Sequence, residues 1–498
     1  MHLDRTRRHT IALSSITVAA TMVTPAANSA AAAATSTTAA GPAERFYTGD
    51  TCWTPEGSPP GLSGRAAIHY SPGDPALAPG PGDRLVFGAD GFPPNGTVMF
   101  NAYCDDFSRP GNCGAGPTTF GVAACDPLVV HGAFDVRRGS WFFDLDGTWC
   151  GPSCSLGDPV CTDACDTALP IDMTLGSLDA ASMSGDASVD VLLSSAGGGI
   201  TLGATRSAHL SGTRGTIAFF GPGIVNLGAV ATGSAPAAIG GVDLRSGIDA
   251  TTTSAAVGTL GSGQLRVRSS VLRGLGSAVL TGGDGDGTSC QITVDDGGAM
   301  LDFAGVVLGG GAGAFTELLV DERSRVGITG SPGLELSAGA TVITSAFSGT
   351  PAADPSPGTV SASHIAWRVG AADDPNPLVA ASGLADLTGT VLDVSLETPL
   401  AAGDERVLVL AGSVSGSPAS ATLQAAAGSD VPYLVFAPDA LRVAAHRLGD
   451  ADLNGTVGFT DILQVISQFG PCIGCPEDQD LDGQVAFSDI LFVLSEFD

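Results

Sequence analysis

The chain has no lysine: all 21 basic side chains among its 498 residues are arginine. Against them stand 51 acidic residues, a formal charge of −30. Such a balance argues against nucleic acid and anionic membranes as partners, since both would be repelled. Aromatic residues make up 6% and charged residues 14% of the chain, too little for a helical enzyme with charged outer faces. No phosphate loop and no dinucleotide motif occurs. Beyond the N-terminus no segment has the ~20 apolar residues of a membrane-spanning helix, so no membrane span is expected. What is abundant is glycine, 70 residues, which suits a β-rich chain with many tight turns.

Residues 1–30 have the layout of a signal peptide. Arg5, Arg7 and Arg8 are followed by an apolar stretch from Ile11 to Val23 and by alanine-rich cleavage positions around Ala27 to Ala33. Residues 31–45 are then a low-complexity leader, and the location expected is secreted or at the extracellular surface. Eleven cysteines agree with an oxidising compartment. Eight of them lie between Cys52 and Cys165, in a Cys-rich β region over 46–168 that also holds Trp53, Trp141 and Trp149. Disulfides are preferred to a zinc site here, because the densest run, Cys150 to Cys165, contains no histidine. Core filling is preferred to a sugar platform for the tryptophans.

From 169 to 382 short alternating strands recur between Gly, Ser, Asp and Thr turns, as in Ile171-Asp172-Met173-Thr174-Leu175 and Gln264-Leu265-Arg266-Val267-Arg268. Period two marks strands, and a loose return every ~20 residues suggests the coils of a solenoid. The expected fold is mainly β, a right-handed parallel β-helix, with a β-sandwich array as the alternative. In style the region resembles the parallel β-helices of secreted and autotransporter-like bacterial proteins. Residues 383–445 resemble the closing coils of such passengers.

The most specific signal lies in 446–498, where one twelve-residue loop is written twice. Asp450, Asp452, Asn454 and Asp461 occupy positions 1, 3, 5 and 12 of the first copy, with Gly455 at position 6. Asp478, Asp480, Asp482 and Asp489 repeat the pattern around Gly483. Calcium is a hard cation that takes six to eight oxygens, and alternate oxygen side chains around a glycine turn are how an EF-hand-type loop supplies them. The backbone carbonyls of Thr456 and Gln484 are the candidates for position 7. Each loop leads into one amphipathic helix, in which Ile462, Ile466 and Phe469 match Ile490, Leu494 and Phe497 in phase.

Two loop–helix units without entering helices resemble the type I dockerin module. The resemblance implies a small α-helical module ordered by two calcium ions and a cohesin-like protein as partner. Carried over residue by residue, it makes Phe459, Thr460, Phe487 and Ser488, loop positions 10 and 11, the partner-binding candidates. The competing reading makes the phenylalanines core and the hydroxyls helix caps. The segment between the repeats, Gly470-Pro471-Cys472-Ile473-Gly474-Cys475-Pro476, departs from the family in being short and in carrying a CxxC. Its two cysteines are expected to pair.

Catalysis has one candidate cluster: Asp284, Asp286, Asp295, Asp296, Asp302, Asp321, Glu322, Arg323 and Arg325. If coils stack ~4.8 Å apart, carboxylates one coil apart could form a glycosidase-like pair, and Asp302 with Asp321 has nearly the right separation. Exposed turns explain the same residues, and the motif series of β-helix polygalacturonases is missing. No catalytic residue is therefore assigned. Two functions are expected. The first is a non-catalytic solenoid with a calcium-dependent assembly module, facing a polysaccharide or cell-surface matrix. The second is a polysaccharide hydrolase or lyase recruited through its dockerin.

Overall fold

The computed structural model describes residues 44–47, 70–71, 84–87, 96–101, 119–123, 128–144 and 173–497, less short gaps at 182–185, 194–198, 284, 310–312, 353–354 and 371–377. The signal and most of the leader, the eight cysteines from Cys52 to Cys165, Trp53, Trp149 and Asp284 lie outside the described residues. The body is a parallel β-solenoid of about 9 turns, followed by two short helices. Parallel pairing throughout the body overturns the sandwich alternative, whose sheets are antiparallel.

Alternation explains why these segments become coils. In Ile239–Arg245, Ser262–Arg268 and Ser289–Asp295, Val242, Leu265 and Ile292 stand opposite one another and point inward. The column extends to Val189 and Ile217 before them and to Leu318 and Val342 after. A second column runs Ile200, Val225, Ala250, Leu272, Leu301 and Val326 on other strands of the coils. Each coil buries the apolar edge of the one before, so the core is a continuous rod. The coils are longer than the ~20 residues expected from the sequence. Val242 to Leu265 spans 23 positions and Leu265 to Ile292 spans 27. The excess lies in corner turns, which vary in length without disturbing the strands.

The sheets also continue N-terminal of residue 169. Leu128–Val136 pairs in parallel with Met173–Ala180, and Gly139–Asp144 with Asp186–Leu192. Trp141 is buried there, its ring 5.0 Å from that of Phe87 in an edge arrangement that aromatic pairs favour. At the other end the pairing turns antiparallel. Val431–Phe436 and Ala440–His446 form a hairpin that also covers Glu405–Ser415, closing off strands that would otherwise present an open edge.

The helices, α1 (Phe459–Ser467) and α2 (Phe487–Ser495), belong to a unit with its own small core of Ala451, Val457, Val465, Val485, Ile490 and Val493. It docks on the terminal hairpin: the Leu434 N–H donates to the carbonyl of Gly474 at 2.7 Å, and Leu481 packs against the solenoid core. No helix among the described residues is long and apolar enough to cross a membrane.

Candidate metal centre

Each acid loop gathers three carboxylates, two ahead of its helix and the third, Asp461 or Asp489, on the helix's first turn. Oxygen atoms of Asp450, Asp452 and Asp461 lie within 4.8 Å of one another, and those of Asp478, Asp480 and Asp489 do the same. Asp450, Asp461, Asp478 and Asp489 are buried. The turns that bring them together use left-handed backbone at two positions in each loop: Leu453 and Gly455 (φ 60° and 84°), then Leu481 and Gly483 (φ 59° and 84°). Glycine at position 6 takes this conformation without a Cβ penalty.

The closing aspartates act twice. Asp461 Oδ1 accepts the Asp452 N–H at 2.9 Å, and its Oδ2 accepts the Gly458 N–H at 2.7 Å. Asp489 accepts from Gln479 and from Ala486, both at 2.7 Å. The same side chain closes the loop and satisfies an orphan donor at the start of the helix, where a negative charge also favours the helix dipole. The opening aspartates are held in the same way: Asp450 accepts from the N–H groups of Asn454 and Gly455, and Asp478 from those of Asp482 and Gly483.

Position 5 also bonds within its loop. Asn454 Oδ1 and Asp482 Oδ1 accept the N–H of Thr456 and of Gln484, each at 2.8 Å, near the solvent-facing side of the loops. Thr456 and Gln484 are exposed on the same turns.

The donor set fits a hard divalent cation. Buried carboxylates held this close are costly unless a proton or a cation compensates them. Burial pushes Asp478 up to about 6, and the neighbouring Asp489 and Asp482 carboxylates add to the rise. All-oxygen ligands of full negative charge suit Ca²⁺ over softer metals.

The partner-binding candidates are not core. Phe459 is 65% and Phe487 66% exposed, so the reading that would bury them is overturned. Thr460 is exposed and Ser488 half-buried. Each phenylalanine heads a stripe on its helix: Phe459, Leu463 and Ile466 on α1, Phe487, Leu491 and Leu494 on α2, all exposed. Phe469 and Phe497 are exposed too, whereas Ile462 and Ile490 turn inward with Val465 and Val493.

The catalytic candidates divide, with Asp302 apart from a group around Asp321. Asp302 faces Arg273 and Gly327 on a strand, while Asp321 lies at a corner beyond the Phe315–Val320 strand. The separation of nineteen positions that suggested a stack falls short of one coil, so the two are not register partners. Asp295, not Asp302, is the neighbour of Asp321: burial raises it and the Asp296 and Asp321 charges contribute. Asp296, Asp321, Glu322 and Arg323 share an open cleft of about 560 Å³.

One polar cluster had no signal in the sequence. Asp135 and Asp179 are neighbours on consecutive coils, both fully buried, and Arg84 bridges them at 3.1 and 2.9 Å. Arg206 closes on Asp179 at 3.0 Å from the next coil. A second pair, His364 and Asp393, meets at 2.7 Å across a coil step.

Comparison with protein-family models, curated proteins and solved structures finds no match for this chain. The acid loops and their geometry therefore carry the functional argument alone.

Proposed function

We propose that this protein is an exported, non-catalytic β-solenoid whose C-terminal unit is a calcium-dependent docking module for a cohesin-like protein. The module would hold two Ca²⁺ ions. Asp450, Asp452, Asn454, Asp461 and the Thr456 carbonyl would serve one, and Asp478, Asp480, Asp482, Asp489 and the Gln484 carbonyl the other. Bound calcium supplies positive charge that neutralises each triad and ties its loop to the helix behind it. The residues themselves do the rest. Asp461 and Asp489 couple loop closure to the first turns of α1 and α2, so ordering a loop orders the stripe that follows.

The observation that carries this reading is the pairing of two acid triads with two matching exposed stripes, headed by Phe459 and Phe487. Exposed apolar side chains in register on two helices suit a partner surface, where buried aromatic anchors dominate binding energy. The solenoid would carry the module and display a surface towards a polysaccharide or cell-surface matrix.

Calorimetric titration of the full chain with Ca²⁺ tests the reading. Two ions bound per chain, with Phe459 and Phe487 becoming protected once a cohesin-like domain is added, is the expected result. No bound calcium would remove it.

The alternative, a polysaccharide hydrolase or lyase, draws support from the open cleft at Asp296, Asp321, Glu322 and Arg323. Turnover of an acidic or neutral polysaccharide that disappears in Asp321→Asn would favour it.

A further inference from the structure

The two acid loops are alike in sequence but not in what holds them. Cys472 and Cys475 are joined in a disulfide, and the small ring it closes leans on the second loop from both sides. The Cys472 N–H donates to the carbonyl of Gly483 at 3.0 Å, and Gly483 is the sixth residue of that loop. The Asp478 N–H points to the carbonyl of Cys475 at 3.4 Å, and Asp478 is its first residue and a member of its triad. Gly470 and Pro471, just before the ring, pair with Val485 and Gln484, just after the loop's glycine. Within the ring the Cys475 N–H faces Cys472 Sγ at 2.9 Å. Its glycine, Gly474, accepts the Leu434 N–H of the terminal hairpin. The first loop has the matching turn, its Asp450 N–H donating to the Arg447 carbonyl at 3.0 Å, but the residues before it, His446-Arg447-Leu448-Gly449, hold no disulfide, and among the described residues no hydrogen bond runs from the cystine ring to residues 450–461.

We propose that the Cys472–Cys475 disulfide is a redox lock on the second metal loop alone. This rests on the calcium reading above. With the disulfide closed, positions 1 and 6 of the second loop are fixed against one short ring before any ion arrives. The loop then loses little freedom on binding. With it open, the ring residues gain freedom, the contacts to Asp478 and Gly483 loosen, and the second loop must be ordered by the ion itself. The first loop keeps its affinity in both states. A chain in a reducing compartment would hold one competent loop and gain the second on oxidation.

The chemistry balances with a dithiol reductant. One of its thiolates attacks a cystine sulfur, breaking the S–S bond and forming a mixed disulfide. Its second thiol then displaces the protein sulfur and closes to a cyclic disulfide. Two electrons and two protons pass from the dithiol, leaving Cys472 and Cys475 as thiols. Both cysteines are only partly buried, so the reagent can reach them.

The test uses the full chain in two single-loop forms, Asp461→Ala (second loop intact) and Asp489→Ala (first loop intact). Calcium affinity is measured for each before and after treatment with dithiothreitol, and again with Cys472→Ser and Cys475→Ser added. The serine pair isolates this disulfide from the other cysteines, and chemical reduction covers the case in which the serine variant folds poorly. Loss of the disulfide should weaken binding on the order of tenfold in the Asp461→Ala form. It should change the Asp489→Ala form less than twofold, and amide exchange at 478–483 should rise in step with the weakening. Equal change in both forms, or no change in either, overturns the lock while leaving the calcium reading standing. Absence of calcium binding in both forms with the disulfide intact overturns the calcium reading, and the lock with it.

Discussion

Gln479 ties the two acid loops together: its Oε1 accepts the N–H of Gly449, the residue before the first loop, at 2.7 Å. Its own N–H donates to Asp489, the closing residue of the second loop, and its Nε2 donates to the Pro476 carbonyl. Because Gln479 is buried, Gln479→Ala leaves the Gly449 N–H without this partner. A buried donor orphaned in this way costs about 1–3 kcal/mol. The expected outcome is a lower unfolding temperature for the module and faster amide exchange at Gly449. Unchanged exchange there would show that the bridge is not formed in solution.

The closing aspartates should separate the two ions. Asp461→Ala and Asp489→Ala are each expected to leave one calcium bound per chain, and the double variant none. Each substitution also removes a helix-start acceptor, worth ~1 kcal/mol, so the following helix should fray in circular dichroism even without metal. Retention of two ions in either single variant would mean that the loops have been misassigned.

Chelation should act locally. The module's core is small and its buried carboxylates repel, whereas the solenoid core is a continuous apolar rod. Hydrogen exchange with excess chelator is therefore expected to rise over 448–497 and to stay unchanged in the strands from Asp186 to Val369. Loosening that spreads into Leu265 or Ile292 would contradict this separation.

His446 should make the junction between solenoid and module sensitive to acid. It is buried beside Tyr433, and burial lowers its pKa, partly offset by a bond to the Arg447 carbonyl and by the Asp450 charge. The fold thus holds the neutral ring. Below the ordinary imidazole value of ~6.5 the unfolded chain binds the proton more readily than the folded one. Its contribution is complete above that value and is lost as pH falls from it towards the lower folded pKa. Asp190 and Asp302, raised mainly by burial, act in the opposite sense. Thermal unfolding at pH 7.5 and 5.5, compared between the native chain and His446→Asn, should show a smaller acid loss in the variant. An equal loss would place the sensitivity elsewhere.

Arg84 should matter more than its surface position suggests. It bridges the buried Asp135 and Asp179 carboxylates, and removing it leaves each with one arginine, Arg137 on Asp135 and Arg206 on Asp179. Breaking a buried pair outright costs about 3–5 kcal/mol, and the two remaining arginines together with water screening at a side chain 34% exposed put the loss below that range. Denaturant unfolding of Arg84→Ala should show that loss. Adding Asp135→Asn and Asp179→Asn should recover part of it.

Much of this architecture was legible in the chain. Alternation at 171–175 and 264–268 announced strands with one face inward, because a period of two puts every second side chain on the same side. The acid loops were legible for a similar reason: position 1, position 6 and position 12 are all local, so no distant contact is needed to bring Asp450 to Asp461. The helix faces were harder to assign. Ile462 and Ile466 are both apolar and both in phase, and only the packing against Val485 and Val493 decides which turns inward.

Strands, turns and the two carboxylate triads follow from local stretches of the chain, since each depends on residues within a dozen positions of one another. The length of a coil, the meeting of Asp135 with Asp179, the neighbour of Asp321 and the exposure of Phe459 and Phe487 emerge from packing between distant parts of the chain. Corner turns of variable length set which residues of successive coils stand opposite one another. That length leaves no periodic mark in the sequence. Exposure depends on what the rest of the chain packs against, and at the two phenylalanines the described structure packs nothing that buries them.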